Sequence, residues 1–195
     1  MTTPHVVGIG GTTRDGSLTD KALRFALKTC QAEGATTTVF DGAFLETLPH
    51  YAPDRFERAE GAIRLIDEIR RADGLIVASP GYHGGVSGLV KNAIDYAEDL
   101  RDDPSPYLSG KPVGLIATGA GWQGIVTTIE ALRAIVHALR GWPTPLGAAV
   151  NSAFSRFDQN GDPSDEKVLS ALTTVAEEVM QFVRRHQADL QTTED

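Results

Sequence analysis

The stretch SPGYHGGVSGLVKNAIDYAEDL, residues 79–100, decides how the rest of the chain is read. It follows Gly74-Leu75-Ile76-Val77-Ala78, an apolar run short enough for a buried strand. It leads into Val86, Leu89, Val90, Ala93, Ile94 and Ala97, which recur at helical spacing, so a helix is expected from about Val86. Between the two, Gly81, Gly84 and Gly85 form a turn in which backbone can come close to a flat ligand. A loop pinned at both ends, with its free amides at the carboxyl edge of a sheet, reads as a binding site.

Upstream, His5 to Ile9 reads as the first strand. It is followed by GGTTRDGSLTD, Gly10 to Asp20, and by Ala22, Leu23, Ala26 and Leu27 at helical spacing. A glycine-rich and hydroxyl-rich turn between strand and helix suits a phosphate, because backbone N–H groups and the helix dipole both favour an anion there. The competing reading is a capped helix with Ser17 or Thr19 as N-cap. Thr12, Thr13, Ser17 and Thr19 together with Arg14, all within Thr12 to Thr19, favour the phosphate. The Walker A pattern fails, since Gly16 is followed by Ser17 and Leu18 rather than by Lys. The dinucleotide fingerprint lacks its third glycine. It is weakened rather than removed, because Asp41 closes the second strand, Thr36 to Phe40, where a ribose-binding acid would sit.

Gly42 to Arg58 carries Pro49, Pro53, His50, Tyr51 and Arg55 with little periodicity and is expected to be a loop at the carboxyl edge. Ile63, Ile66, Ile69 and Ala72 mark the next helix. After residue 100, Val113 to Thr118 reads as the fourth strand and feeds a third glycine-rich turn, Thr118-Gly119-Ala120-Gly121-Trp122-Gln123-Gly124. The helix expected over Ile125 to Leu139 has an apolar surface wide for an element covering one sheet face, which leaves a core helix and a subunit contact both open. Pro145 to Val150 reads as a fifth strand. The calcium-loop likeness of Asp158, Asn160 and Asp162 fails at Pro163 and Leu169, so Asp162 is expected to cap a last helix with Pro163 at its first position. No G-x-S-x-G elbow exists around Ser87, because Leu89 stands where the second Gly is required.

Strand and helix alternate five times. The expected fold class is α/β, a doubly wound five-stranded parallel sheet of order 2-1-3-4-5 with helices on both faces and its ligand crevice at the first and third strands. With 195 residues and 41% hydrophobic side chains the chain suits one domain over 1–195, with 189–195 as a frayed tail. A formal charge of −8 argues against nucleic acid or an anionic membrane surface as partner. Cys30 is alone, so neither a disulfide framework nor a paired-cysteine metal site is available. No stretch approaches a membrane span, and a soluble cytoplasmic protein is expected.

These residues resemble the NAD(P)H-dependent FMN reductase family of flavodoxin-like flavoproteins. The family's first loop, roughly G-S-x-R-x-x-S-x-N, is matched from Gly11 to Thr19, with Thr at the first Ser and at the Asn. Its second, roughly P-x-Y-x-x-S-x-[PS]-G-x-[LF]-K-N, is matched by Pro80, Tyr82, Ser87, Gly88, Lys91 and Asn92, with Gly85 where Ser is frequent. Its third, A-T-G-G, is matched by Ala117 to Ala120. The likeness spans about residues 5–150 and is nearest to the reductases that supply reduced flavin to two-component monooxygenases.

The resemblance implies FMN as cofactor and NADPH or NADH as co-substrate. It implies that Thr12, Arg14, Ser17 and Thr19 hold the phosphate, that Pro80, Gly81, Tyr82, His83, Gly84 and Gly85 lie against the isoalloxazine, and that Thr118, Gly119, Ala120 and Gly121 meet its other edge. Hydride transfer through a flavin requires no catalytic side chain and no metal, so none is assigned. His83 is read as contributing backbone, Lys91 and Asn92 as bracing the loop. The alternatives are an FMN-bound quinone or azo reductase and a flavodoxin-like electron carrier, the latter disfavoured by dispersed acids. A homodimer or homotetramer is expected, with a flavin-dependent monooxygenase as a further partner.

Overall fold

The computed structural model describes residues 2–193. The β-branched runs predicted as strands form β1 (His5–Gly10), β2 (Thr36–Phe40), β3 (Gly74–Tyr82), β5 (Pro112–Gly119) and β6 (Trp142–Asn151), all parallel and in the order β2-β1-β3-β5-β6. The fold is therefore α/β with a parallel sheet, but it has six strands where five were expected. The additional one is β4 (Gly85–Val86), two residues antiparallel to β3 and off the main path. Periodicity could not reveal β4, because a pair of residues has no period. β3 and β5 are apolar almost throughout because helices cover both of their faces.

One face is closed by α1 (Leu18–Ala32) and α6 (Glu166–Thr193), which bury Leu23, Ala26, Leu172 and Val179 against Val6, Ile76 and Ile116. The other is closed by α3 (Glu60–Arg71), α4 (Gly88–Asp95) and α5 (Trp122–Ala138), where Leu65, Ile69, Val90 and Leu132 pack on Val7, Ile9, Val77 and Leu115. A 3₁₀ turn, Tyr96–Leu100, continues α4.

Several boundaries differ from the sequence reading. Gly42 to Arg58 is not all loop: Asp41 accepts from the Phe44 amide and starts a short helix, α2 (Gly42–Glu46). The rest is tied down, since Arg58 makes a two-pronged ion pair with Asp99 and lies over the rings of Tyr51 and Tyr96. α4 begins at Gly88 rather than near Val86, because Ser87 accepts from the Val90 amide and β4 occupies the preceding residues. α5 starts at Trp122, three residues early. α6 is capped by Asp165, which accepts from Lys167 and Val168, while Asp162 instead pairs with Lys28 and Pro163 bridges to Phe157. α6 also continues to Thr193, into the segment expected to fray; residues 194 and 195 lie outside the described residues. No helix among the described residues is long and apolar enough to cross a membrane.

Candidate functional site

The parallel register brings the ends of β1, β3 and β5 side by side, with Gly10 opposite Ala78 and Pro80 opposite Thr118. The three glycine-rich turns therefore leave the same edge of the sheet. The first stays close to β3 because Gly10 has no side chain: a Cβ there would lie 2.1 Å from the Ala78 carbonyl oxygen.

The first turn ends where Ser17 Oγ accepts from the Asp20 amide at 3.2 Å, so the capped helix and the anion-suited turn are one structure. Thr12 Oγ1 accepts from the Arg14 amide at 3.2 Å, which curls the turn on itself. The amides of Thr12, Thr13, Asp15, Gly16 and Ser17 have no acceptor among the described residues, and the exposed Arg14 guanidinium has no partner there either. That is a donor set without a protein acceptor. Thr19 is placed differently. It is 2% exposed, and its hydroxyl meets that of Thr118 at 2.6 Å, so each is already partnered by the other. Asp41, the residue that kept a ribose reading alive, is engaged by Phe44 and by Arg24 at 2.7 Å.

The second turn is a tight hairpin. Tyr82 pairs with Gly85, and the two residues between them, His83 at φ 53° and Gly84 at φ 81°, are both left-handed, the combination that two-residue hairpins of the mirror-image type require. His83 spends its backbone on this conformation. Its ring is exposed without a partner among the described residues. The amides of His83 and Gly84 are likewise unengaged there.

Two supports escaped the sequence reading. Ser79 Oγ accepts from the Ser87 amide at 3.0 Å and pulls the two ends of the turn together. Thr128 of α5 donates to the Gly124 carbonyl at 2.7 Å and reaches the Gly85 carbonyl at 3.3 Å. Ser87 was not read as a helix cap, because the helix was expected from about Val86, and Ser79 sits inside a strand with no local signal. Asn92 and Lys91 do not brace this turn. Asn92 holds the 49–51 segment through Tyr51 N and Pro49 O, and Lys91 pairs with Asp95 at 2.6 Å.

Between the first and second turns lies a cleft of about 130 Å³ lined by Gly11, Thr12, Thr13, Pro80, Tyr82, Ser87, Gly88 and Leu89. Thr12, Pro80 and Tyr82 meet there, and so does Thr13, one of the hydroxyls read toward a phosphate. Gly11, Ser87, Gly88 and Leu89 were not assigned to a site from sequence. The third turn follows β5, with Ala120 and Gly121 exposed, their amides unengaged, and the Gly119 carbonyl held by the Ser152 amide at 2.8 Å. A larger groove of about 430 Å³ lies elsewhere, between α4 and α5, and contains none of the three turns. No group of three or more His, Cys, Asp or Glu residues suited to a metal occurs among the described residues.

Comparison with known proteins follows the same lines. Residues 4–155 match the family model described as NADPH-dependent FMN reductase. An NAD(P)H-dependent FMN reductase of Pseudomonas aeruginosa is 29% identical over 183 residues, covering 92% of this chain and 95% of that protein. An FMN-dependent NADPH-azoreductase of Staphylococcus aureus is 38% identical over 117 residues, 53% of this chain and 56% of that one. Among solved structures, the flavoenzyme NAD(P)H:(acceptor) oxidoreductase FerB of Paracoccus denitrificans shares the fold with a TM-score of 0.77. It is 23% identical and covers 94% of this chain and 99% of its own.

Proposed function

We propose a mode of action from one premise: the chain belongs to the NADPH-dependent FMN reductase family and is an NAD(P)H:flavin oxidoreductase that uses FMN. The observation that carries the proposal is the convergence of unengaged donors and empty-sided glycines on one edge of the sheet. Arg14 and the amides of Thr12, Thr13, Asp15, Gly16 and Ser17 hold the phosphate, with the α1 N-terminus behind them. Gly88 and Gly121 support the fit of the flat ring. Neither has a left-handed φ, and a Cβ on either would meet no atom within 4 Å, so packing within the chain gives no reason for a glycine at either place. Close approach of a ligand does.

FMN supplies the centre that accepts the hydride from the nicotinamide. The chain orients it. Pro80 and Tyr82 form one wall, the His83 and Gly84 amides donate from the rigid hairpin, and Ala120 and Gly121 donate from the opposite turn. The assay is oxidation of NADH and of NADPH by flavin-stripped protein, with and without FMN. Saturable dependence on FMN is expected, and equal rates without FMN overturn the reading.

Direct reduction of azo or quinone acceptors is a second reading. It is supported by the resemblance to the staphylococcal azoreductase and by Tyr82, which is 57% exposed at the cleft and offers an aromatic acceptor a face to stack on. Supply of reduced flavin to a monooxygenase remains part of the proposal for the first reading. The domain is taken as single. We place a second copy on the outer face of α5, where Trp122 and Val126 stand about half exposed. Light scattering at micromolar concentration is expected to give at least twice the monomer mass.

A further inference from the structure

The bond between Thr19 and Thr118 joins two turns assigned to opposite ends of the cofactor. Thr19 is the second residue of α1, directly behind the phosphate turn, and Thr118 is the penultimate residue of β5, where the third turn begins. The residues are 99 positions apart, 2% and 4% exposed, and their hydroxyl oxygens lie 2.6 Å apart. Thr118 is also flanked in the sheet by Pro80 of β3 and Val150 of β6, so the strand that leads into the second turn abuts the same point.

Counting hydrogens gives the pair its interest. Two hydroxyls carry two protons, and one proton suffices for the bond between them. The other has no acceptor among the described residues, whichever oxygen donates. A buried donor left unspent is costly, and a ligand acceptor that takes it up recovers that cost. An acceptor at the phosphate turn draws the spare proton to Thr19. Thr118 then donates to Thr19, and its lone pairs face the ring turn. An acceptor at the ring turn reverses the direction.

We infer that Thr19 and Thr118 are positioning residues that couple the two ends of the flavin site. They fix the separation of the phosphate turn and the ring turn, and by rotation of the two hydroxyls the one O–H left free of their mutual bond faces one turn or the other. This rests on the FMN reading above. A structural tie alone would make both turns equally dependent on the pair, whereas coupling makes the phosphate's contribution to binding depend on a hydroxyl in the ring turn.

The test compares FMN with riboflavin, which lacks the phosphate, by fluorescence titration of wild type, Thr118→Val and Thr118→Ser. The ratio of the riboflavin Kd to the FMN Kd measures the phosphate contribution. Thr118→Val is expected to lower that ratio by roughly fivefold, because Thr19 loses the neutral partner that aims its O–H at the phosphate, a bond of about 1 kcal/mol, and Thr118→Ser to restore it. Equal weakening of both flavins, or of neither, overturns the coupling. If Thr118→Val folds poorly by its melting curve, Thr118→Ala removes the same bond with a smaller side chain and is read against Thr118→Ser in the same way. Wild type that shows no saturable FMN binding overturns the flavin reading and the coupling with it. Wild type that binds, with a ratio indifferent to the folded Thr118 variant, overturns the coupling alone.

Discussion

Gly88→Ala is expected to make the free protein more stable and its flavin binding weaker. Gly88 opens α4 immediately after the Ser87 cap, its φ is not left-handed, and a Cβ there would have no neighbour within 4 Å. Nothing in the folded chain resists the methyl group, and alanine narrows the unfolded ensemble. The gain is about 0.4–1 kcal/mol, or about 1–4 °C in melting temperature for a chain of this size. The same methyl projects from a residue that lines the cleft. Forcing a ligand off a close contact costs about 1–3 kcal/mol, roughly 5- to 150-fold in Kd. Melting curves of stripped protein and FMN fluorescence titrations read the two effects separately. Gly81→Ala is the contrast: its Cβ would lie 2.8 Å from Thr128 Oγ1 and 2.9 Å from the Gly124 carbonyl oxygen, so it should destabilise the stripped protein by about 1–3 kcal/mol. A lowered melting temperature for Gly88→Ala would refute the claim of empty space. An unchanged Kd beside a raised melting temperature would refute the claim that FMN fills it.

Arg14→Ala should weaken FMN by about tenfold or more, as for a charge-assisted hydrogen bond, without moving the melting curve, because the guanidinium holds nothing among the described residues; a fallen melting temperature would show a structural role. Ser17→Ala is a poorer probe, since it also removes the α1 cap, worth about 1 kcal/mol. Burial pushes the Glu68 carboxyl up, but hydrogen bonds from His5 at 2.8 Å and Thr38, together with Arg71, outweigh it and leave the group below its ordinary value of 4.5. A depressed carboxyl contributes stability that is present above the ordinary value and lost as pH falls through the lowered one. Wild type should therefore exceed Glu68→Gln in denaturant midpoint at pH 7 and lose that advantage towards pH 3; a gap constant with pH sinks the assignment. Cys30 is fully buried, with its thiol pushed up to about 12 by burial and then by Glu33, and should not react with a maleimide until the chain unfolds.

Much of the fold was legible because its signals are local and repeated. The runs at Gly74–Ala78 and Val113–Thr118 are strands since both sheet faces are covered, and buried parallel strands carry no alternation to confuse with a helix. What escaped was set by single hydrogen bonds rather than by period. Asp41 and Asp165 each start a helix through one carboxylate; Asp41 opens a helix of only five residues, too short for a repeat, and Asp165 lies three residues beyond a rival cap. Asp162 followed by Pro163 carried the better local signature. Tertiary pairing won, with Lys28 taking the carboxylate and Phe157 the backbone of Pro163.

The site was legible in its turns and illegible in its connections. Sequence names Thr12, Arg14, Ser17 and Thr19 as equivalent hydroxyl or cationic donors, but the fold divides them by depth. Arg14 is exposed, Ser17 is a cap, and Thr19 turns inward to a partner almost a hundred residues away. No local pattern holds that information, because which oxygen faces a ligand is decided by where α1 crosses β5. The glycines divide in the same way. Gly81 is required by Thr128 and Gly124 of α5, over forty residues further along the chain, while Gly88 is required by nothing among the described residues. A glycine that the folded chain does not need points outward, to whatever occupies the space beside it, and that inference needs the coordinates of every neighbour to establish that the space is empty.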